Sequence, residues 1–442
     1  AACRIADARI TTAIEAPDGG SITVAPTLVG AGCAEERFAV EVFNRTTGAV
    51  IVPRTSAASA HELSAGVQLI LPRPARLWSP SVPHLYGLRL TVGEDTVEAT
   101  AGVREVKVLR SQSDGLPRTH LNGEPFYQAG VLGQGFFPES LYAAPTDAAL
   151  EDDILKLKEL GFNMVRKHIL REPDRWYHYA DVHGVIIWQD MPSSFNLSGI
   201  VAQSQFEAEL TELVQSVRNF PSVFQFNNFN EGWGQTNEEP YNRSEDGGLS
   251  YKEFTAKMYS LTKSLVGDAM LVADATGGAQ ACCDGPPGQP PAGSQCYGRY
   301  TNPTGEIRGA GCFGDIQDQH GGRPGCELKH DTTISNISAC YPRPHLSKHG
   351  EPDRSAQNGE YGGEGFSAQF WSHMPSWGCG RFNDFIHTGA DYAQLYTNLS
   401  KQFAVLKGAP TAFSGGVYDC WTDVETECDG FLSYDRIVKV PV

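Results

Sequence analysis

Asn163-Met-Val-Arg-Lys-His168 is a short apolar-centred run. It follows a stretch in which Leu150, Ile154, Leu157 and Leu160 recur on one helical face, with Thr146 placed to cap it. A second such run, Val185-Ile-Ile-Trp188, comes next, and a helical stretch with Phe206, Leu210, Leu213 and Val217 follows that. Strand, helix, strand, helix is the rhythm of parallel β/α units. The rhythm extends in both directions. Phe126-Tyr-Gln-Ala-Gly-Val131 reads as an earlier strand, and 223–229 as a later one. Beyond them lie a helix with Phe254, Met258, Leu261 and Leu265, the strand Met270-Leu-Val-Ala273, and a strand-like segment at Glu360. A helix with Tyr392, Leu395, Leu399 and Phe403 and a strand near 411–418 complete the series. Roughly eight strands over residues 106–442 fit a (β/α)8 TIM barrel with insertions. The chain reaches Val442 soon after the last strand, so the expected barrel is cut short at its C-terminal end. It is then closed by missing domains or neighbouring chains, or it belongs to a longer protein.

Residues 1–105 read differently. Alternating runs such as Phe38-Ala-Val-Glu-Val-Phe43 and Leu85-Tyr-Gly-Leu-Arg-Leu-Thr-Val92 are bounded by turn residues, with no sustained helical period. A small antiparallel β-sandwich is the economical reading. Within the barrel half, residues 277–345 break the rhythm and are rich in Gly, Pro and Cys. An insertion of that length is usually functional or linker-like.

Composition narrows the function. A net charge of -17 argues against a nucleic-acid partner, whose phosphates would be repelled. No apolar run approaches the roughly 20 residues of a membrane span. The 11 cysteines include six (Cys282, Cys283, Cys296, Cys312, Cys326, Cys340) in the insertion, and no Cys-x-x-Cys pair suggests zinc. Disulfides in an oxidising compartment fit this usage, as do the sequons at Asn44, Asn196, Asn242, Asn336 and Asn398. Both point to an extracellular or cell-surface location.

Two glutamates carry the chemistry. Glu231 lies in Phe229-Asn-Glu-Gly-Trp-Gly-Gln235 and Glu360 in Gly359-Glu-Tyr-Gly-Gly363, each after a strand-like segment. The active sites of such barrels lie at the carboxyl ends of the strands, where Arg166 and Asp190 also fall. Paired carboxylates suit glycoside hydrolysis: one donates a proton and the other, held ionised beside a cation such as Arg166, attacks the sugar carbon. Asn230 is placed to bind a sugar hydroxyl. This chemistry needs no cofactor and no metal. Asn227 and Asn228 fall where a buried strand favours apolar side chains, so they must find partners.

The chain resembles glycoside hydrolase family 2, which includes β-galactosidases, β-mannosidases and β-glucuronidases. The resemblance rests on several segments. They are Leu77-Trp-Ser-Pro-Ser-Val-Pro-His-Leu-Tyr86, Gly102-Val-Arg104, Leu121-Asn-Gly-Glu-Pro-Phe126 and Gly161-Phe-Asn-Met-Val-Arg166, then Ser222-Val-Phe-Gln with Asn230-Glu231, Gly359–Gly363 and Thr422–Arg436. It implies an immunoglobulin-like sandwich at 1–105 and a catalytic barrel at 106–442. It also implies a retaining exo-β-glycosidase acting on a carbohydrate substrate, with Glu231 as acid/base and Glu360 as nucleophile. Arg166 would orient the nucleophile and Asn230 would contact the sugar 2-hydroxyl. Gly314-Asp-Ile-Gln-Asp-Gln-His320 is similar to the sixth-strand motif, so His320 and Tyr341 would line the pocket and Trp421 would wall a sugar face.

Plainer readings stand beside these. His320 could be a satisfied loop or core histidine, Tyr341 and Trp421 barrel packing, and Asp190 a structural carboxylate. The acidic run Asp423, Glu425, Glu427 and Asp429 reads as a solvated loop rather than an ion site. The whole chain could instead be a weakly active or non-catalytic glycan-binding component of an extracellular assembly. A glutamate separation well above about 6 Å would favour that alternative.

Overall fold

The structure is a computed structural model that describes residues 3–57, 60–194, 196–197, 199–231, 247–277, 300–301, 307–308, 314–320, 353–363, 365, 386, 388–425 and 427–440. The N-terminal part is a sandwich of two antiparallel sheets. Arg4–Glu15, Gly19–Val29 and Val67–Ile70 form one; Val50–Ala57, Phe38–Asn44, Tyr86–Val92 and Asp95–Ala101 form the other. Alternation turns Ile22, Val24 and Leu69 from the first sheet against Val40, Val42, Leu88 and Leu90 from the second. A disulfide joins Cys3 to Cys33 at the open end of the first hairpin. One short helix, Ala60–Ala65, interrupts the otherwise all-β reading.

Residues 106–125 do not join the barrel wall. Val106–Arg110, Pro117–Leu121 and Glu124–Pro125 make a separate three-stranded sheet. Its Val106 and Leu121, with Trp78, pack against barrel residues Leu132, Met164, Trp188 and Phe224. Thr119 donates its N–H to Ser414 Oγ at 3.0 Å, which ties this sheet to the foot of the barrel.

The barrel strands are β1 (Gln128–Gly133), β2 (Met164–Lys167), β3 (Ile186–Asp190), β4 (Val223–Asn227), β5 (Leu271–Ala273), β6 (Ile316–His320), β7 (Ser355–Gly362) and β8 (Gly415–Asp419). All pairings among them are parallel, in the order β5-β4-β3-β2-β1-β8-β7-β6. The remaining seam, between β5 and β6, carries one bridge from Ala273 to Gly314. Asp315 reinforces it: its N–H donates to Val272 O at 2.8 Å, and its side chain accepts from Val272 N at 2.9 Å. The chain's own eight strands therefore come close to closing the barrel. Among the described residues no helix follows β8; the segment after it folds back, and Phe431 and Leu432 join the outer apolar layer.

Helices α1 (Asp147–Glu159), α2 (Asp174–His183), α3 (Ile200–Val217) and α4 (Tyr251–Val266) follow β1 to β4, and α5 (Gly389–Leu406) lies between β7 and β8. Their apolar faces explain their docking: Leu150, Ile154 and Leu157 of α1 are all buried. Thr146 caps α1 by accepting from Ala149 N at 3.1 Å, and a Ser250–Glu253 capping box starts α4. The sandwich is held to the barrel by Arg104. Its guanidinium donates to the carbonyls of Pro221 at 3.1 Å, Val223 at 2.6 Å and Ala269.

Candidate active site

Arg166 projects from β2 into the barrel mouth and is fully buried. Burial alone would oppose its charge, and it persists because carboxylates surround it. Its Nε and Nη2 donate to Asp190, the latter at 2.8 Å, and its Nη1 donates to Glu360 Oε1 at 2.9 Å. Nη2 also donates to Asn230 Oδ1 at 2.6 Å and to Thr276 Oγ1 at 2.7 Å. Thus Asp190 is the anchor that aims Arg166, the structural role weighed above.

Glu360 lies within β7 rather than beyond it. His320, at the end of β6, places Nδ1 at 3.2 Å from Glu360 Oε2 and 2.7 Å from Glu231 Oε1. One oxygen of each glutamate and one ring nitrogen of His320 lie within 4.8 Å of one another. Burial disfavours the His320 cation, yet Glu360 and the hydrogen bonds to both glutamates outweigh it and hold its pKa up at about 9. Burial likewise opposes charge on Glu360, but His320, Arg166 and His168 together hold its carboxyl well below the usual range. A nucleophile must be ionised in this way. Arg166 Nη1 lies 3.2 Å from His320 Nε2 as well as against Glu360, so a fixed cation already serves this cluster and opposes a metal ion there.

Glu231 follows β4 in a left-handed conformation, φ 49°, which L side chains adopt at a cost. Its N–H donates to Thr276 O at 2.8 Å, and its side chain is 39% exposed, open to an incoming ligand. The adjacent amides are partly satisfied, Asn228 Nδ2 being buried with no acceptor among the described residues. Asn227 donates to Asp190 Oδ1 at 2.7 Å and accepts from Gln225, while Asn228 Oδ1 accepts from Thr262 at 3.1 Å.

Glu231, Glu360, Arg166, Asn230 and His320 therefore converge. Tyr341 lies outside the described residues. Trp421 does not wall the pocket: its ring packs edge-to-face with Phe162 at 6.4 Å in the layer between strands and helices, where a large apolar side chain finds burial. The acidic run after β8 is not a solvated loop either. Asp423 and Asp429 are buried; Asp423 accepts from Lys439 at 2.6 Å and Asp429 from Cys420 Sγ at 3.1 Å. Burial, then Asp429, pushes Glu427 up to about 7, and burial, with Asp429 and Glu360, raises Asp419 further. Sequence reasoning missed Asp419, Asp318 and Thr276. Asp318 carried a signal, as an acidic residue two positions before His320 on the same strand face; Thr276 carried none.

Comparison with known proteins now bears on this geometry. Residues 3–104 match the family model for glycosyl hydrolases family 2. A β-galactosidase of Klebsiella pneumoniae (strain 342) is 30% identical over 180 residues, 37% of this chain and 16% of that protein. A β-galactosidase of Lactococcus lactis subsp. lactis is 24% identical over 198 residues, 41% of this chain and 19% of that protein. The family 2 match thus lies in residues 3–104, and the chain is similar to β-galactosidases over about two fifths of its length. Among solved structures, a β-glucuronidase from Ruminococcus gnavus superposes with a TM-score of 0.68 at 16% identity, covering 99% of this chain and 66% of that one. The β-D-glucuronidase of Dictyoglomus thermophilum gives 0.68 at 15%, covering 99% and 67%. At such identities these likenesses show the fold alone. The chain spans less than a fifth of the length of these two β-galactosidases.

Proposed function

We propose that the chain hydrolyses terminal β-linked glycosides with retention, through double displacement. Glu360 attacks the anomeric carbon while Glu231 protonates the leaving oxygen, then activates water to release the sugar. The observation that carries this reading is the approach of one oxygen of each carboxylate to within 4.8 Å of the other, with Arg166 and His320 on Glu360. Retaining enzymes place their carboxyls about 5–5.5 Å apart, whereas inverting ones need about 6.5–9.5 Å. The same spacing speaks against the non-catalytic alternative. An activated 2-deoxy-2-fluoro-β-glycoside tests the assignment. Mass spectrometry of the trapped chain is expected to find the label on Glu360, and a label on any other residue overturns it.

The sugar we propose is neutral. Asp419, Cys420 and Asp429 cluster at the end of β8, and the Asp419 and Glu427 carboxyls interact electrostatically with Glu360. Burial keeps these carboxyls largely protonated near neutral pH, so this side offers hydrogen-bonding groups for sugar hydroxyls rather than a cation for a substrate carboxylate. An aryl β-galactoside is expected to exceed the matching β-glucuronide in kcat/KM by at least about tenfold. Equal rates would remove this argument. The Cys3–Cys33 disulfide supports an extracellular setting, and Cys428 is disulfide-bonded as well. Intact-mass measurement of native material, before and after glycosidase and reductant, tests that location.

A further inference from the structure

Thr276 lies beyond the end of β5 and is fully buried. Its backbone continues the pairing of β5 with β4 past both strands. Thr276 N–H donates to Phe229 O at 2.9 Å and Thr276 O accepts from Glu231 N at 2.8 Å, with Asn230 opposite. Its side chain is free to do something else.

A hydroxyl has one proton to give and two lone pairs. Arg166 can only donate, so Thr276 Oγ1 accepts from Arg166 Nη2 at 2.7 Å. The single proton of Thr276 then goes to Asn230 Oδ1 at 2.9 Å, the Phe229 carbonyl being farther at 3.4 Å. Asn230 Oδ1 consequently receives two donors, since Arg166 Nη2 also reaches it at 2.6 Å. The reversed amide would set its NH2 against a guanidinium and a committed hydroxyl, donor against donor. This hydrogen-bond logic fixes the orientation of the amide. Asn230 Nδ2 therefore turns away from the buried cluster and has no acceptor among the described residues.

We propose that Thr276 is a positioning residue and the specificity element of this subsite. Its hydroxyl holds Asn230 with the amide NH2 toward the ligand. The contact of Asn230 with the sugar 2-hydroxyl is what the family resemblance implies; the new element is that the Thr276 hydroxyl sets it. This rests on the glycosidase reading above. The effect is specific to the hydroxyl, because Thr276→Val keeps the side-chain shape and every backbone contact.

The test measures kcat/KM for an aryl β-glycoside and its 2-deoxy counterpart. It compares the full chain with Thr276→Val, Thr276→Ala and Thr276→Ser, after circular dichroism confirms folding. In Val and Ala the hydroxylated substrate is expected to lose about tenfold, the 2-deoxy substrate less than about twofold, and Ser to stay within about threefold of the unaltered chain. Should Val not fold, Ala carries the comparison. Equal losses on both substrates, or failure of Ser to preserve the preference, would overturn the proposal while leaving the glycosidase reading in place. No hydrolysis of either substrate by the folded, unaltered chain would overturn that reading and this proposal with it.

Discussion

Two buried arginines stand at opposite ends of the barrel, and they are handled in opposite ways. Arg104, at the foot, donates only to main-chain carbonyls and lies 4.9 Å over the Phe224 ring. Burial draws its pKa down to about 10, with only distant help from Asp181. Arg166, at the mouth, is equally hidden, but the carboxylates of Asp190, Glu360 and Asp318 raise its pKa against the opposing effect of burial. The first therefore works as a multi-dentate clamp between the sandwich and β4. The second is the hub of a charge network that leaves one of its partners, Glu360, facing the ligand side. The lesson is that burial does not assign a role to an arginine; the charge of its acceptors does.

The contrast can be broken experimentally. Arg166→Met should have the largest effect. It leaves Asp190 and Glu360 without their cation, so unfolding free energy is expected to fall by about 3–5 kcal/mol. Activity on any aryl glycoside should fall by at least about a hundredfold. Chemical denaturation and steady-state kinetics measure both, and a fully active Arg166→Met chain would refute the hub. Arg104→Met should cost less, about 2–3 kcal/mol, because it removes donors to carbonyls and strands no carboxylate. Its folded fraction should keep the unaltered kcat/KM; a lost activity at full folding would erase the distinction between the two ends.

The smallest effect concerns pH. His320 has a folded pKa of about 9, raised from 6.5, so its stabilising contribution is complete below 6.5 and is lost as pH rises through 9. Asp318 at about 6 and Glu427 at about 7 lose their contribution at lower pH, whereas Asp419 is raised further, so only the part of the decline between about 7 and 9 that His320→Gln removes is assigned to His320. Stability should decline there by roughly 1–2 kcal/mol, and the decline should shrink in His320→Gln. Thermal melts across that interval decide it; an unchanged slope in the variant would show that the clasp between the two glutamates carries no net charge coupling.

Much of the architecture was legible in the chain. Buried parallel strands read as apolar runs, and their helices repeat Leu and Ile every turn, so β2, β3, α1 and α3 emerge from local pattern alone. The strand boundaries moved by a few residues: β1 occupies Gln128–Gly133 and β8 Gly415–Asp419. Trp421 was misleading because an aromatic after a barrel strand suits a sugar wall and the outer packing layer equally well, and only its contact with Phe162 separates them.

By itself, then, the sequence determined the sandwich, the order of the barrel units and the candidates Glu231, Glu360, Arg166 and Asn230. These depend on periodicity and on residue types placed at strand ends, which are local properties. Tertiary structure alone decided that His320 stands between the two glutamates and that Asp190 aims Arg166. It also decided that Thr276, 110 positions from Arg166 in the chain, orients Asn230. A hydrogen bond depends on angstroms between atoms that the chain brings together only when the barrel closes, and no local pattern records that distance.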